Sequence, residues 1–199
     1  MIVVIGLGTG RCGTTSLVGL LSSQHGAFVT HQRTRMLWQG DYDLAMREAE
    51  SLVNATDLQL TGDVAFYWLP YVYQVSQRFP QIKFVCLRRS RLGYEESWAE
   101  SQGCRNAWME TGERLDLSYP QFGLPQSESI QLYWDNYFII SSALARQMPD
   151  RFRVFPLRYM NTKDGQRAIL EFIGVSDHVL KPGIRLNKRG TSWEDRFKE

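Results

Sequence analysis

Cysteine is scarce in this chain: three in 199 residues, at Cys12, Cys86 and Cys104. An odd count without paired spacing excludes a disulfide framework. Histidine is as rare, and His25, His31 and His178 lie too far apart for a zinc pattern. No apolar run reaches the length of a membrane span. The opening apolar stretch, residues 2–5, is too short for the core of a secretory leader. A reduced, cytoplasmic protein is therefore expected. Glycine and proline are not in excess, at 16 and 7, which excludes collagen-like and low-complexity chains. Neither sign of charge dominates: the net charge is +2 and the pI about 8.4, too weak a bias for a nucleic-acid binder. A local anion site remains compatible with it.

What is present is ordinary for a soluble domain, 43% hydrophobic and 22% charged residues. A chain of this length is one domain by size, and buries roughly 70% of its unfolded surface without staples. The pattern alternates strand and helix. Residues 2–5 read as a short β-branched strand, 27–31, 58–65, 82–87 and 152–157 as further strands. Residues 14–24, 43–55, 69–78, 90–102, 127–148 and 164–173 read as helices, the last stopped by Gly174. On the long helix, Ile130, Trp134, Phe138, Ser141 and Leu144 share one side. Residues 103–126 have no period and mix Gly, Pro, charges and aromatics, as a lid or acceptor-binding insertion would. The prediction is a single α/β domain with a parallel sheet flanked by helices, of the P-loop nucleotide-binding type. Ligands of such sheets bind at the carboxyl ends of the strands. The loops after Ile5, His31, Ala65 and Leu87 should share one site.

The strongest motif runs from Gly6 to Ser16, Gly-Leu-Gly-Thr-Gly-Arg-Cys-Gly-Thr-Thr-Ser. It follows a predicted strand and opens a predicted helix, as a phosphate-binding loop must. Glycines let several N–H groups converge, and the helix adds its positive end. Gly8 and Gly13 have Walker A spacing, but Thr14 stands where a nucleoside-triphosphate enzyme has lysine. The nearby cation is Arg11. No apolar strand ends in a magnesium-binding aspartate.

In this substitution the loop resembles that of the PAPS-dependent sulfotransferases, basic-x-Gly-Thr-Thr, matched by Arg11-Cys12-Gly13-Thr14-Thr15. PAPS is 3′-phosphoadenosine-5′-phosphosulfate. The resemblance implies that Gly10, Arg11, Cys12, Gly13, Thr14, Thr15 and Ser16 bind the phosphosulfate. A second stretch, Phe79 to Arg89 followed by Ser97, is similar to the family's 3′-phosphate motif, an arginine at a strand end and a serine eight residues on. Arg89 and Ser97 fit it; Ser90-Arg91 replaces the family's frequent Asp-Pro or Asn-Pro. Read without the family, Arg88, Arg89 and Arg91 are either surface charges or a phosphate site. Lys188-Arg189-Gly190 resembles the basic-Gly segment that closes over the 3′-phosphate. Phe172-Ile173-Gly174 resembles the end of the family's late helix, but the acidic dipeptide before that helix is absent around Arg158-Tyr159-Met160.

The implied reaction moves a sulfuryl group from PAPS to a hydroxyl or amine of a small-molecule or glycan acceptor and releases PAP, the 3′,5′-bisphosphate. No metal, nucleic acid or membrane is implied, and the oligomeric state stays open. Arg11 would stabilise the leaving phosphate. Asp63, in Thr61-Gly62-Asp63 at a strand end, is the first candidate for the base, in the region of the family's Gly-Glu pair; otherwise it caps the following turn. His31 is the rival base, or a structural or acceptor-orienting residue. Cys12 is either a small filler or a thiol activated by the helix start. Trp38, Trp68, Trp98 and Trp108 form either an aromatic acceptor wall or core. Arg33 and Arg35 hint at an anionic acceptor. Two other functions fit the same residues: an ATP- and magnesium-dependent small-molecule or nucleotide kinase, and a non-catalytic nucleotide-binding protein.

Overall fold

The computed structural model describes residues 1–99 and 117–183. Five parallel strands form one sheet in the order β2-β3-β1-β4-β5: β1 Ile2–Leu7, β2 Ala27–His31, β3 Leu60–Val64, β4 Ile82–Arg88 and β5 Phe152–Pro156. Among the described residues, five α-helices lie between the strands, α1 Thr14–Ser22, α2 Tyr42–Val53, α3 Val72–Arg78, α4 Arg91–Ala99 and α5 Gln126–Gln147, and α6 Lys163–Ile173 follows β5. The expected α/β architecture with a parallel, helix-flanked sheet is what folds.

The pleat sorts the core into two layers. Val3, Ile5, Leu7, Ile82, Phe84 and Cys86 face a layer formed with α2, α3, α4 and α5. Val4, Val85 and Leu87 face the opposite layer, formed with α1 and α6. Both sheet faces are covered, so β1 is buried throughout from Val3 to Leu7. Each such aliphatic side chain contributes roughly 1.5–3 kcal/mol.

Boundaries depart from the sequence reading where neighbours decide them. Strand β1 runs past Gly6 to Leu7, because Gly6 pairs with Val64 and Val85, and Leu7 with Cys86. A Cβ at Gly6 would stand 2.7 Å from Val64 Cγ2, so the strand needs glycine there. The helix expected over 69–78 is a 3₁₀ helix, Phe66–Tyr71, followed by α3. A second 3₁₀ helix, Leu157–Asn161, precedes α6 and has no counterpart in the sequence reading. Of the expected lid, residues 103–116 lie outside the described residues, 117–125 are loop, and Gln126 already begins α5. Lys188, Arg189 and Gly190 also lie outside the described residues, as do Trp108 and Cys104. No described helix is long and apolar enough to cross a membrane.

Candidate functional site

The loop between β1 and α1 is built for close approach. Gly13 has φ +81° and caps α1 without any side-chain bond. The first hydrogen bond of the helix is Leu17 N–H to the Gly13 carbonyl, 3.0 Å. The amides of its first turn therefore precede the helical ladder and point toward the loop. No acidic side chain stands in that turn to compete with an anion. Gly8 has φ +150°, and a Cβ there would meet the Leu87 carbonyl at 2.9 Å. Arg11 is held at φ +73°, a left-handed conformation that costs a non-glycine residue of order 1 kcal/mol. Strain of this kind persists only where surrounding contacts over-determine it.

Those contacts come from the second motif. Arg11 Nε donates to Ser97 Oγ at 3.2 Å, and Arg89 Nη1 donates to the Arg11 carbonyl at 3.2 Å. Arg11, Arg89 and Ser97, far apart in sequence, thus meet. Helix α5 braces both loops. Trp134 Nε1 donates to the Arg89 carbonyl at 3.2 Å. The Gly8 N–H donates to Tyr137 Oη at 3.0 Å, and that hydroxyl donates to the Phe66 carbonyl at 3.1 Å. Tyr137 escaped the sequence reading. Its signal was there: a residue with a polar tip three places from Trp134, on the same helix face.

Beside Arg89 opens a cavity of about 540 Å³, lined among others by Arg88, Arg89, Ser90, Arg91, Trp134 and Arg158. Arg88 lies over the rings of Trp134 and Phe138 at 4.9 and 5.1 Å. Arg91 is already paired with Glu95 at 3.0 Å and Asp135 at 3.3 Å, so the positive charge at the opening comes mainly from Arg88, Arg89 and Arg158. Arg158 was not among the expected site residues.

His31, at the end of β2, is half-buried, with Nε2 3.2 Å from Thr14 Oγ1. Thr14 and Thr15 are buried; Gly10, Arg11 and Ser16 are half-buried. The Cys12 thiol is buried against Thr9 Oγ1, and burial pushes its pKa up despite that bond. Burial thereby disfavours a thiolate, and Cys12 fills space under the loop.

Asp63 is only 3% exposed. Oδ1 accepts from Thr30 Oγ1 at 2.7 Å and from the Arg33 N–H at 3.2 Å, while Oδ2 accepts from Trp68 Nε1 at 2.8 Å. Burial raises its pKa, and the three donors oppose the shift. The carboxylate ties the tip of β3 to β2, to the segment after it and to the 3₁₀ helix. Arg33 in turn pairs with Glu48 at 3.7 Å, and Arg35 Nε donates to Ser118 Oγ at 3.1 Å. Trp68 and Trp98 are core residues, 2% and 4% exposed, and Trp38 is half-buried against Tyr133 and Tyr137. Among the described residues no cluster of His, Cys, Asp and Glu is arranged to hold a metal. His25 is exposed and His178 bonds the Val175 carbonyl locally.

One solved structure similar to this chain is a sulfotransferase from Alicyclobacillus acidocaldarius. The likeness covers 92% of this chain and 85% of that one, with a TM-score of 0.55 and 14% identity. At that identity it is a likeness of fold. No protein-family model matches the sequence, and no curated protein matches it.

Proposed function

We propose that this chain is a PAPS-dependent sulfotransferase that transfers a sulfuryl group to a hydroxyl or amine and releases PAP. The observation that carries the proposal is the meeting of Arg11, Arg89 and Ser97. The two motifs that resemble the family's 5′- and 3′-phosphate sites lie one bond apart. A nucleotide phosphorylated at both ends engages both motifs, and ATP would leave the second site unfilled. The similar fold of a sulfotransferase supports the same reading.

In this reading the β1–α1 loop, Gly10 to Ser16, wraps the phosphosulfate with backbone N–H groups and the Thr14 and Thr15 hydroxyls. Arg11 moves from Ser97 to the leaving phosphate, whose developing charge it neutralises. Arg89 and Ser97 take the 3′-phosphate, with Arg158 adding positive field. Lys188, Arg189 and Gly190 belong to the same reading as a closing segment. So do the absence of a metal and a cytoplasmic setting. Attack on sulfur proceeds in line, as in phosphoryl transfer. Of the two base candidates, His31 is favoured over Asp63. The Asp63 oxygens are already taken by three donors. His31 Nε2 sits at the loop itself. With its proton on Nδ1, the ring is a base at the place where the acceptor arrives.

Calorimetric titration with PAP and, in parallel, with ATP and magnesium tests the reading. Micromolar PAP binding with weak ATP binding is expected. Tight ATP binding without preference for PAP overturns the two-phosphate assignment and favours a kinase. PAP binding without transfer from PAPS to any of a broad acceptor panel would leave a nucleotide-binding protein.

A further inference from the structure

The front of the glycine-rich loop is occupied by a phenol of the chain itself. Residues 117–125 pass before the loop and are fastened on the way: Trp38 N–H donates to the Leu117 carbonyl at 2.8 Å, and Arg35 Nε to Ser118 Oγ at 3.1 Å. Next comes Tyr119, 9% exposed. Its ring lies flat on Phe66, with centroids 4.2 Å apart and planes 15° apart. Trp98 and Tyr133 close on it edge-on at 5.9 and 5.5 Å. Inside this aromatic box the ring can point its hydroxyl in few directions. It points at the loop: Oη lies 3.0 Å from where a Cβ on Gly10 would stand. The next residue along the chain is Arg11, the cation proposed for the leaving group. A box that stacks on a ring, closes on it edge-on and sets its oxygen at a phosphosulfate loop is what a phenolic acceptor requires.

Resting on the sulfotransferase reading, we propose that Tyr119 is a built-in sulfuryl acceptor, modified by its own active site when PAPS is bound and no external acceptor is present. The Tyr119 oxygen forms a bond to sulfur as the bond between sulfur and the bridging phosphate oxygen breaks. That electron pair leaves with PAP, and the phenolic proton passes to water. No oxidant, reductant or further reactant is needed. The product is an aryl sulfate whose negative charge lies beside Arg11. It fills the place that a second PAPS would need. A chain that meets donor without acceptor therefore modifies itself once and then binds nucleotide weakly.

The test is incubation of the full chain with radiosulfur-labelled PAPS and no acceptor, followed by peptide mapping. One label per chain is expected, on the peptide containing Tyr119, with a matching loss of PAP affinity. Tyr119→Phe keeps the stacked ring and PAP binding but takes no label. Label elsewhere, equal label in Tyr119→Phe, or no label on a chain that binds PAP by calorimetry overturns the proposal and leaves the sulfotransferase reading standing. A chain that binds no PAP overturns both.

Discussion

Asp63 shows how one side chain can satisfy a sequence pattern for one reason and a structure for another. As a carboxylate at a strand end in the right region it reads as a base. Its three donors also make it a latch, holding the segment that carries Arg33 and Arg35. The latch has a pH signature. Its folded pKa is raised above the ordinary 3.8 by burial. Between those two values the folded state holds a proton that the unfolded state has lost. Stability from this group is therefore full below the unfolded value and falls as pH rises through the folded one. Asp63→Asn removes the titration and turns a donor toward one of the three existing donors, leaving a buried N–H or O–H unmatched. That costs about 1–3 kcal/mol. Urea unfolding at a series of pH values should show the stability of wild type relative to Asp63→Asn falling as pH rises above 3.8. A constant margin would mean the carboxyl titrates alike in both states.

At the scale of elements, α5 does most to shape the site, and only half of its part was legible. Hydrophobic spacing revealed the helix and placed Trp134 and Phe138 on its inner side. It could not reveal that Trp134 meets the Arg89 carbonyl or that Tyr137 meets the Gly8 N–H, since those partners come from the loops that follow strands β1 and β4. The strands themselves were legible because both of their faces are buried and their apolar runs are continuous. The 3₁₀ helices were not, because a tight turn with all sides buried has no period; Phe66, Tyr67, Trp68, Leu69 and Tyr71 are all buried. The Tyr137 contact makes a clean test of helix-to-loop bracing. Tyr137→Phe keeps the ring but strips the Gly8 N–H and the Phe66 carbonyl of their partner in a fully buried place. A loss of about 1–3 kcal/mol in urea unfolding is expected. PAP affinity should fall with it, since Gly8 leads into the loop proposed to wrap the phosphosulfate. Unchanged affinity in a destabilised protein would mean that α5 supports the core and leaves the loop's shape to others.

For the whole molecule, the sheet order matters more than any single contact. With β1 between β3 and β4, the chain leaves β1 toward one edge and returns past it toward the other. A crevice forms at the strand ends where those directions part. The β1 and β4 ends supply the loop and Arg89, while β2 and β3 supply His31 and Asp63. Sequence alone foretold this convergence, because alternating strands and helices admit few parallel topologies. It could not foretell how the chain after α6 is fastened. Gln24 and Gln166, both buried, grip the backbone of Val179 and Lys181 through both atoms of their amides. Amides of this kind read as surface residues until a partner strand of backbone is known. A ligand bound across β1 and β4 ties the two halves of the sheet together, so its effect appears in global stability. At a hundred times its Kd, PAP adds about 2.7 kcal/mol. For a chain of this size that is a rise in Tm of roughly 5–10 °C. Adenosine 5′-monophosphate lacks the group meant for Arg89 and Ser97. Losing charge-assisted bonds worth about 1.5–3 kcal/mol weakens binding roughly ten- to a hundredfold. At the same concentration it then adds only about 0.4–1.4 kcal/mol. Thermal denaturation at low salt should therefore separate the two nucleotides clearly. The gap should narrow in Arg89→Ala, where the 3′-phosphate has lost its cation. Equal shifts for both nucleotides in the wild type would mean that Arg89 and Ser97 hold the loop and bind no phosphate of their own.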